Sequence, residues 1–176
     1  MNAKKKSTIF ILDASAFLSG KPINLDSSTL VTTPGVSKEL KPRGRDYQAF
    51  QFLKEKGLTI HAPSKKSISR INIVSAETGD KDRLSDADKE ILALALDINK
   101  DKGKEAIILS DDYSIQNVAH VLNIKFETIS QSGITKRFKW VYKCRGCGKK
   151  FKENIKNCPI CGAETKTIIS SKKVIK

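Results

Sequence analysis

Four cysteines fall within 18 consecutive positions as two Cys-x-x-Cys pairs, Cys144/Cys147 and Cys158/Cys161, with ten residues between them, and the rest of the chain has none. Nothing else in the sequence limits its structure so firmly. Each pair forms a short turn that delivers two thiolates to one centre, and Gly148 and Gly162 supply the permissive backbone just after it. Four thiolates suit tetrahedral Zn²⁺. Such clustering points to a metal site in a reducing cytoplasm, whereas a disulfide framework belongs to small secreted chains. With no coordination position left for water the site is structural, and so small a module is expected to fold only with its metal.

That module occupies the last part of a 176-residue chain, which leaves room for one ordinary domain ahead of it. Charge divides at the same place. Residues 1–131 carry 20 Lys+Arg against 17 Asp+Glu, net +3, whereas 132–176 carry 13 against 2, net +11. The small polar run Ser130-Gln131-Ser132-Gly133 reads as the joint. We therefore expect a first domain over 1–131, a linker over 132–140, a zinc ribbon over 141–165 and a basic tail over 166–176. A total of +14 and a pI near 9.7 point to a polyanionic partner. The longest aliphatic run, Ile91 to Leu96, is far too short to span a membrane, and Asp13 breaks the apolar stretch after Lys4–Lys6 that a secretory signal would need uncharged. A cytoplasmic protein without a membrane partner is expected.

Before the joint, short β-branched runs alternate with helical patterns, which suggests α/β architecture around a mainly parallel sheet. Strands are expected at Ile9–Leu12, Leu30–Thr32, Leu58–His61, Ala106–Leu109 and Ile124–Ile129. Helices are expected at Ala14–Ser19 (closed by Gly20), Pro34–Leu40, Asp46–Lys56, Ser85–Asn99 and Tyr113–Leu122. The segment Ile68–Ser75 reads as a strand.

Acids recur where strands end and helices begin. Asp13 follows the first strand, at the carboxyl end where open α/β sheets build their sites, though it would equally cap the helix after it. Glu39 shares a helical face with Val36, or else is a solvated helix-end carboxylate. Asp88 heads a stripe continued by Ile91, Leu92 and Ala95, and also fits a capping box under Ser85; Asp86 faces Lys89 and Glu90 and should be solvated. Asp111 and Asp112 follow the Ala106–Leu109 strand, where either could cap the next helix. Clustered carboxylates repel one another unless a hard cation neutralises them, and Mg²⁺ or Mn²⁺ suits all-oxygen ligands. Such metals activate water for in-line hydrolysis of a phosphodiester. His61 and His120 stand in no catalytic arrangement, and no glycine-rich phosphate loop is present.

The segments Ile11-Leu12-Asp13-Ala14-Ser15-Ala16-Phe17, Val36-Ser37-Lys38-Glu39-Leu40, Leu84-Ser85-Asp86-Ala87-Asp88 and Leu109-Ser110-Asp111-Asp112 together resemble the signature of PIN-domain ribonucleases. The resemblance implies a PIN-like domain with a mainly parallel central sheet flanked by helices. It implies catalytic, metal-binding acids at Asp13, Glu39, Asp88 and Asp112, a supporting hydroxyl at Ser110, and Asp111 as an additional metal-site acid. Asp112-Tyr113-Ser114-Ile115-Gln116-Asn117-Val118, taken with the cysteines, resembles the Nob-type endonucleases of ribosome assembly in their archaeal form. That implies hydrolysis of the small-subunit ribosomal RNA precursor at its mature 3′ end, leaving 3′-hydroxyl and 5′-phosphate ends, on the pre-ribosomal small subunit.

Around the cysteines stand Lys136, Arg137, Lys139, Lys143, Arg145, Lys149, Lys150 and Lys152, interleaved with Phe138, Trp140, Tyr142 and Phe151. Cations neutralise phosphates and aromatics stack on unpaired bases, so these residues, Trp140 included, are candidate RNA contacts. The aromatics would alternatively pack the ribbon. Rival functions are a toxin-type PIN ribonuclease, a non-catalytic RNA-binding assembly factor whose acids are only caps, and a DNA-binding protein.

Overall fold

A computed structural model describes residues 6–18, 29–129 and 136–174. β1 (Ser7–Leu12), an apolar run, lies at the centre of a parallel sheet and leads into α1 (Ala14–Leu18). β2 (Thr29–Thr32) pairs with β1 from Ile9↔Thr29 to Ile11↔Val31, and α2 (Pro34–Glu39) follows, with Thr33 as its N-cap and Pro34 in its first turn. α3 (Arg45–Glu55) packs Phe50 edge-on against Phe17 of α1, ring centroids 5.6 Å apart. β3 (Thr59–Ile60) pairs with β2; α4 (Lys65–Thr78) and α5 (Asp86–Asn99) come next. β4 (Lys104–Leu109) pairs with β1 along its length, Ser7↔Lys104 to Leu12↔Leu109, and α6 (Tyr113–Val121) leads to β5 (Lys125–Glu127). The sheet order β3-β2-β1-β4-β5 makes β2, β1 and β4 neighbours, so the loops after all three open at one carboxyl edge. Ile11, Ile71, Ile91, Leu92, Ile108 and Ile115 are fully buried in the core.

The strand expected at Ile68–Ser75 is a helix. Its β-branched residues repeat at helical spacing, with Ile71, Val74, Ser75 and Thr78 buried while Ile73 is 53% exposed. The Ser64 hydroxyl caps its start by accepting from the Ser67 N–H, and Gly79, at φ 81°, ends it. The expected ends of α1, Ser19 and Gly20, and the joint at 130–133 lie outside the described residues. The other elements match the expected ones to within a few residues.

One turn carries backbone strain. The Gly44 N–H donates to the Lys41 carbonyl at 3.0 Å, closing Lys41-Pro42-Arg43-Gly44 with Pro42 second and Arg43 third. Arg43 has φ 71°, in the left-handed region that glycine takes freely and that costs a side chain roughly 1 kcal/mol. The other described non-glycine residue at positive φ, Asn123, is of a type that tolerates it.

β6 (Lys136–Cys144), β7 (Lys150–Phe151) and β8 (Thr165–Val174) form an antiparallel sheet in the order β7-β6-β8. The stretches read as linker and tail therefore supply much of its longest pairing, Lys136↔Val174 to Cys144↔Thr165, with a bulge between Lys139 and Trp140. Neither stretch announces itself as a strand because the pairing is non-local. Val141 and Tyr142 are buried, and the Tyr142 hydroxyl donates to Asp82 Oδ2 at 3.1 Å, joining β6 to the loop between α4 and α5.

Candidate active site

Asp13 sits just beyond β1 and is 6% exposed. Its Oδ1 accepts from the adjacent Ala14 N–H at 2.6 Å, and its backbone carbonyl, not its side chain, accepts from the Ala16 N–H at 3.0 Å, so the side chain does not make the N2 or N3 bond of the expected cap. Its Oδ2 accepts from the hydroxyls of Ser15 and Ser110, both at 2.8 Å. Ser110 is wholly buried, and the supporting role implied for its hydroxyl has a geometric basis. The carboxylate is held by its own helix start and by the end of the neighbouring strand, so its position follows from the β1–β4 pairing.

Asp88 does two things at once. Its Oδ2 accepts from the Ser85 N–H at 2.7 Å while its own N–H donates to the Ser85 hydroxyl at 3.1 Å, a complete capping box. Its carboxyl is also pushed up to about 6, chiefly by burial, with the charges of Asp13 and Asp112 adding to the shift against the hydrogen bonds from Ser85. Glu39 is exposed at the end of α2 and does not share the burial of Val36. Its carboxyl is raised by partial desolvation and then by the charge of Asp13, offset by the Ser85 hydroxyl. Asp112 caps α6, its Oδ1 accepting from the N–H groups of Ser114 at 2.6 Å and Ile115 at 3.4 Å.

Asp13, Glu39, Asp88 and Asp112 therefore share one electrostatic neighbourhood. Asp111 has further partners: its Oδ1 accepts from the Ile129 N–H at 2.8 Å, and its own N–H donates to the Ser15 hydroxyl that also holds Asp13. Asp86 is solvated as expected, its side chain 99% exposed beside Lys89. Among the described residues only the four cysteines bring their ligand atoms within 4.8 Å of one another; the acids share a neighbourhood through the charge of Asp13 on Glu39 and the charges of Asp13 and Asp112 on Asp88, and their all-oxygen donors are of the kind Mg²⁺ or Mn²⁺ takes.

The raised Asp88 carboxyl has a thermodynamic sign. Folding favours its protonated form, so its contribution to stability is fully present below pH 3.8 and is lost as pH rises through about 6. Without added Mg²⁺ or Mn²⁺, Asp88→Asn is expected to melt higher than the parent at pH 7.5 and to lose that advantage by pH 4. Thermal melts of both proteins across this range test the point; parallel curves would refute it.

Two supporting contacts were not anticipated from the sequence. Gly35 donates its N–H to Glu90 Oε2 at 2.7 Å, and a Cβ there would lie 2.8 Å from that oxygen and 2.9 Å from the Ala87 Cα. The missing side chain lets α2 approach α5, which brings Glu39 near Asp13 and Ser85. Asp80, 1% exposed, accepts from the Asn117 side-chain amide on α6; burial raises its carboxyl, and Asp112 raises it further. A Pro-Gly helix start hints at the first contact; nothing local hints at the second.

The cysteines converge as expected. Cys144 and Cys161 sulfurs are 3.3 Å apart, Cys147 and Cys158 sulfurs 3.6 Å, and all four lie within 4.8 Å of one another. Tetrahedral Zn–S bonds of about 2.3 Å would put sulfurs roughly 3.8 Å apart, whereas a disulfide needs about 2.05 Å, so the set fits a metal. The N–H groups of Gly146 and Ile160 donate to the sulfurs of Cys144 and Cys158, at 3.3 and 3.5 Å.

Lys143 stands opposite Lys150 on β7 and opposite Lys166 on β8, a row of three like charges across the sheet. Arg145, Lys149 and Lys152 are exposed nearby. The side chains of Lys136, Arg137, Lys139 and Trp140 lie outside the described residues, while Tyr142 packs and bonds to Asp82.

Residues 10–98 match the family described as the PIN domain of ribonuclease. The chain is 37% identical over 156 residues to a protein named Endoribonuclease Nob1 from Archaeoglobus fulgidus, covering 89% of this chain and 88% of that one. It is 38% identical over 160 residues to the Endoribonuclease Nob1 of Pyrococcus abyssi, covering 90% and 92%. It is also 35% identical over 165 residues to a Ribonuclease VapC1 from Thermoplasma acidophilum, covering 94% and 80%.

Proposed function

The chain belongs to the PIN-domain ribonucleases and is an endoribonuclease of the Nob type, and on that premise we propose that its substrate is the small-subunit ribosomal RNA precursor, cut at the mature 3′ end. Cleavage leaves a 3′-hydroxyl and a 5′-phosphate. Asp13, Glu39, Asp88 and Asp112 hold the catalytic cation, with Asp111 bracing the loop through Ile129 rather than binding it. Bound Mg²⁺ or Mn²⁺ supplies an activated water and charge neutralisation at the leaving oxygen. The protein's own part is to fix Asp13 through Ser15 and Ser110 and to keep Asp88 oriented by its cap.

Zn²⁺ in the cysteine module has no catalytic role. It orders a basic sheet that grips structured RNA, and the proposed division is nuclease over 1–131 and RNA-binding ribbon beyond it. The row Lys150–Lys143–Lys166 supports this, because like charges directly opposed across strands destabilise a sheet unless a polyanion lies over them. The carrying observation is the Tyr142–Asp82 hydrogen bond. It ties that sheet to the loop leading into Ser85 and Asp88, which suits a large substrate held at one place and cut at another. The proposed setting is the cytoplasmic pre-ribosomal small subunit, and no described helix is long and apolar enough to cross a membrane.

The VapC1 relative favours a second reading, a toxin-type ribonuclease acting on transfer or messenger RNA, since an alignment of 165 residues necessarily reaches into the cysteine module. Incubation with a precursor spanning the mature 3′ end, beside transfer RNA and an unstructured RNA, separates the two. One cut at the mature end is expected, dependent on Mg²⁺ or Mn²⁺. Preferential cleavage of transfer RNA, or random cuts, would overturn the assignment.

A further inference from the structure

A pocket of carboxylates repels the phosphate it must cut, so the nuclease domain needs its own cations close to those acids. We propose that the turn Lys41–Gly44, with Arg43 at its tip, grips the phosphates of single-stranded RNA entering the acidic pocket. This rests on the nuclease reading above and adds a binding surface to it.

Glu39 ends α2 two residues before the turn, and α2 packs on α5, whose first turn holds Asp88, and on α1, which follows Asp13, so the turn borders the pocket. It is firmly mounted there, because α2 is pinned to α5 by the Gly35–Glu90 hydrogen bond. Lys38, Lys41, Arg43 and Arg45 are all exposed, and among the described residues none of them is in an ion pair. Asp46, the next acid in sequence, folds back against Gly44. Among the described residues, none of these four cations is spent on an ion pair within the protein.

Arg43 adds a separate argument. Its φ of 71° is one a glycine would adopt without strain, yet the position holds the residue whose planar guanidinium matches phosphate in two parallel hydrogen bonds. Strain kept at an exposed position contributes nothing to the fold, which marks it as functional.

The test uses the full zinc-loaded chain carrying Asp13→Asn, so that RNA is bound and not consumed, with anisotropy of a short labelled single-stranded RNA as readout. Arg43→Gly should raise Kd roughly three- to tenfold and reduce the salt slope of binding by about 1. Its melting temperature should equal or exceed the parent's, because glycine relieves the left-handed backbone. Arg43→Lys should keep most of the affinity. Unchanged Kd and salt slope in both Arg43→Gly and Lys41→Ala would overturn the proposal. So would weaker binding accompanied by a lower melting temperature, the signature of a structural arginine. Cleavage by the parent sequence is assayed separately: turn-dependent binding without cleavage would sink the nuclease reading alone, and cleavage with turn-independent binding would sink this proposal alone.

Discussion

Asp13→Asn is expected to lower RNA cleavage by at least about 10³-fold in single-turnover assays, since a metal site stabilises transition-state charge by several kcal/mol. The fold should survive. Asparagine keeps an oxygen for the Ala14 N–H, and its amide meets two hydroxyls, Ser15 and Ser110, each able to turn and accept. The melting temperature should therefore move by a few degrees at most. Electrostatics supplies a second readout, because the Asp13 charge helps raise both Asp88 and Glu39. Both carboxyls should titrate lower in the variant, as followed by carbon-detected NMR. Full metal-dependent cleavage by Asp13→Asn would sink the assignment.

Loss of the metal from the cysteine module should have an equally large effect, confined to structure. Among the described residues the ribbon buries little beyond Val141, Tyr142, Cys144 and Cys158, too small a core to fold unaided. Structural zinc in comparable modules contributes roughly 10–16 kcal/mol of apparent binding energy, far more than such a core can replace. In Cys147→Ser, or after chelation, fast exchange is expected at the amides of Cys144, Arg145 and Cys158, which donate to Lys149, Glu164 and Ala163 in the ordered ribbon. Core amides of β1 and β4 should stay protected. Metal analysis of the parent should return one zinc per chain, and protected ribbon amides in Cys147→Ser would refute a metal-dependent fold.

The acids were legible because their chemistry coincides with local grammar. Asp88 fits a Ser-x-x-acid box and heads an apolar stripe, and Asp13 ends an apolar strand, so each is marked twice within a few residues. Helix α4 misled because Ile68, Ile71, Ile73 and Val74 have strand-like side chains, and only the caps Ser64 and Gly79 and the burial of every third or fourth residue decide for helix. The β6–β8 pairing was hidden because its partners are some thirty residues apart and each is polar enough to pass for connection. What separates Asp111 from Asp112 was not legible locally, because the Ile129 N–H that Asp111 accepts from belongs to a segment beyond the next helix, whereas Asp112 caps that helix itself.

The lysine row across the ribbon makes ionic strength act on this protein in two opposite directions. Added salt screens Lys143 from Lys150 and Lys166 and so steadies the sheet, while on the proposed RNA-binding role the same ions would weaken its hold on a polyanion. On that proposal the ribbon would be most robust where it binds most weakly, and a nucleic acid laid across it would take over the role of the salt.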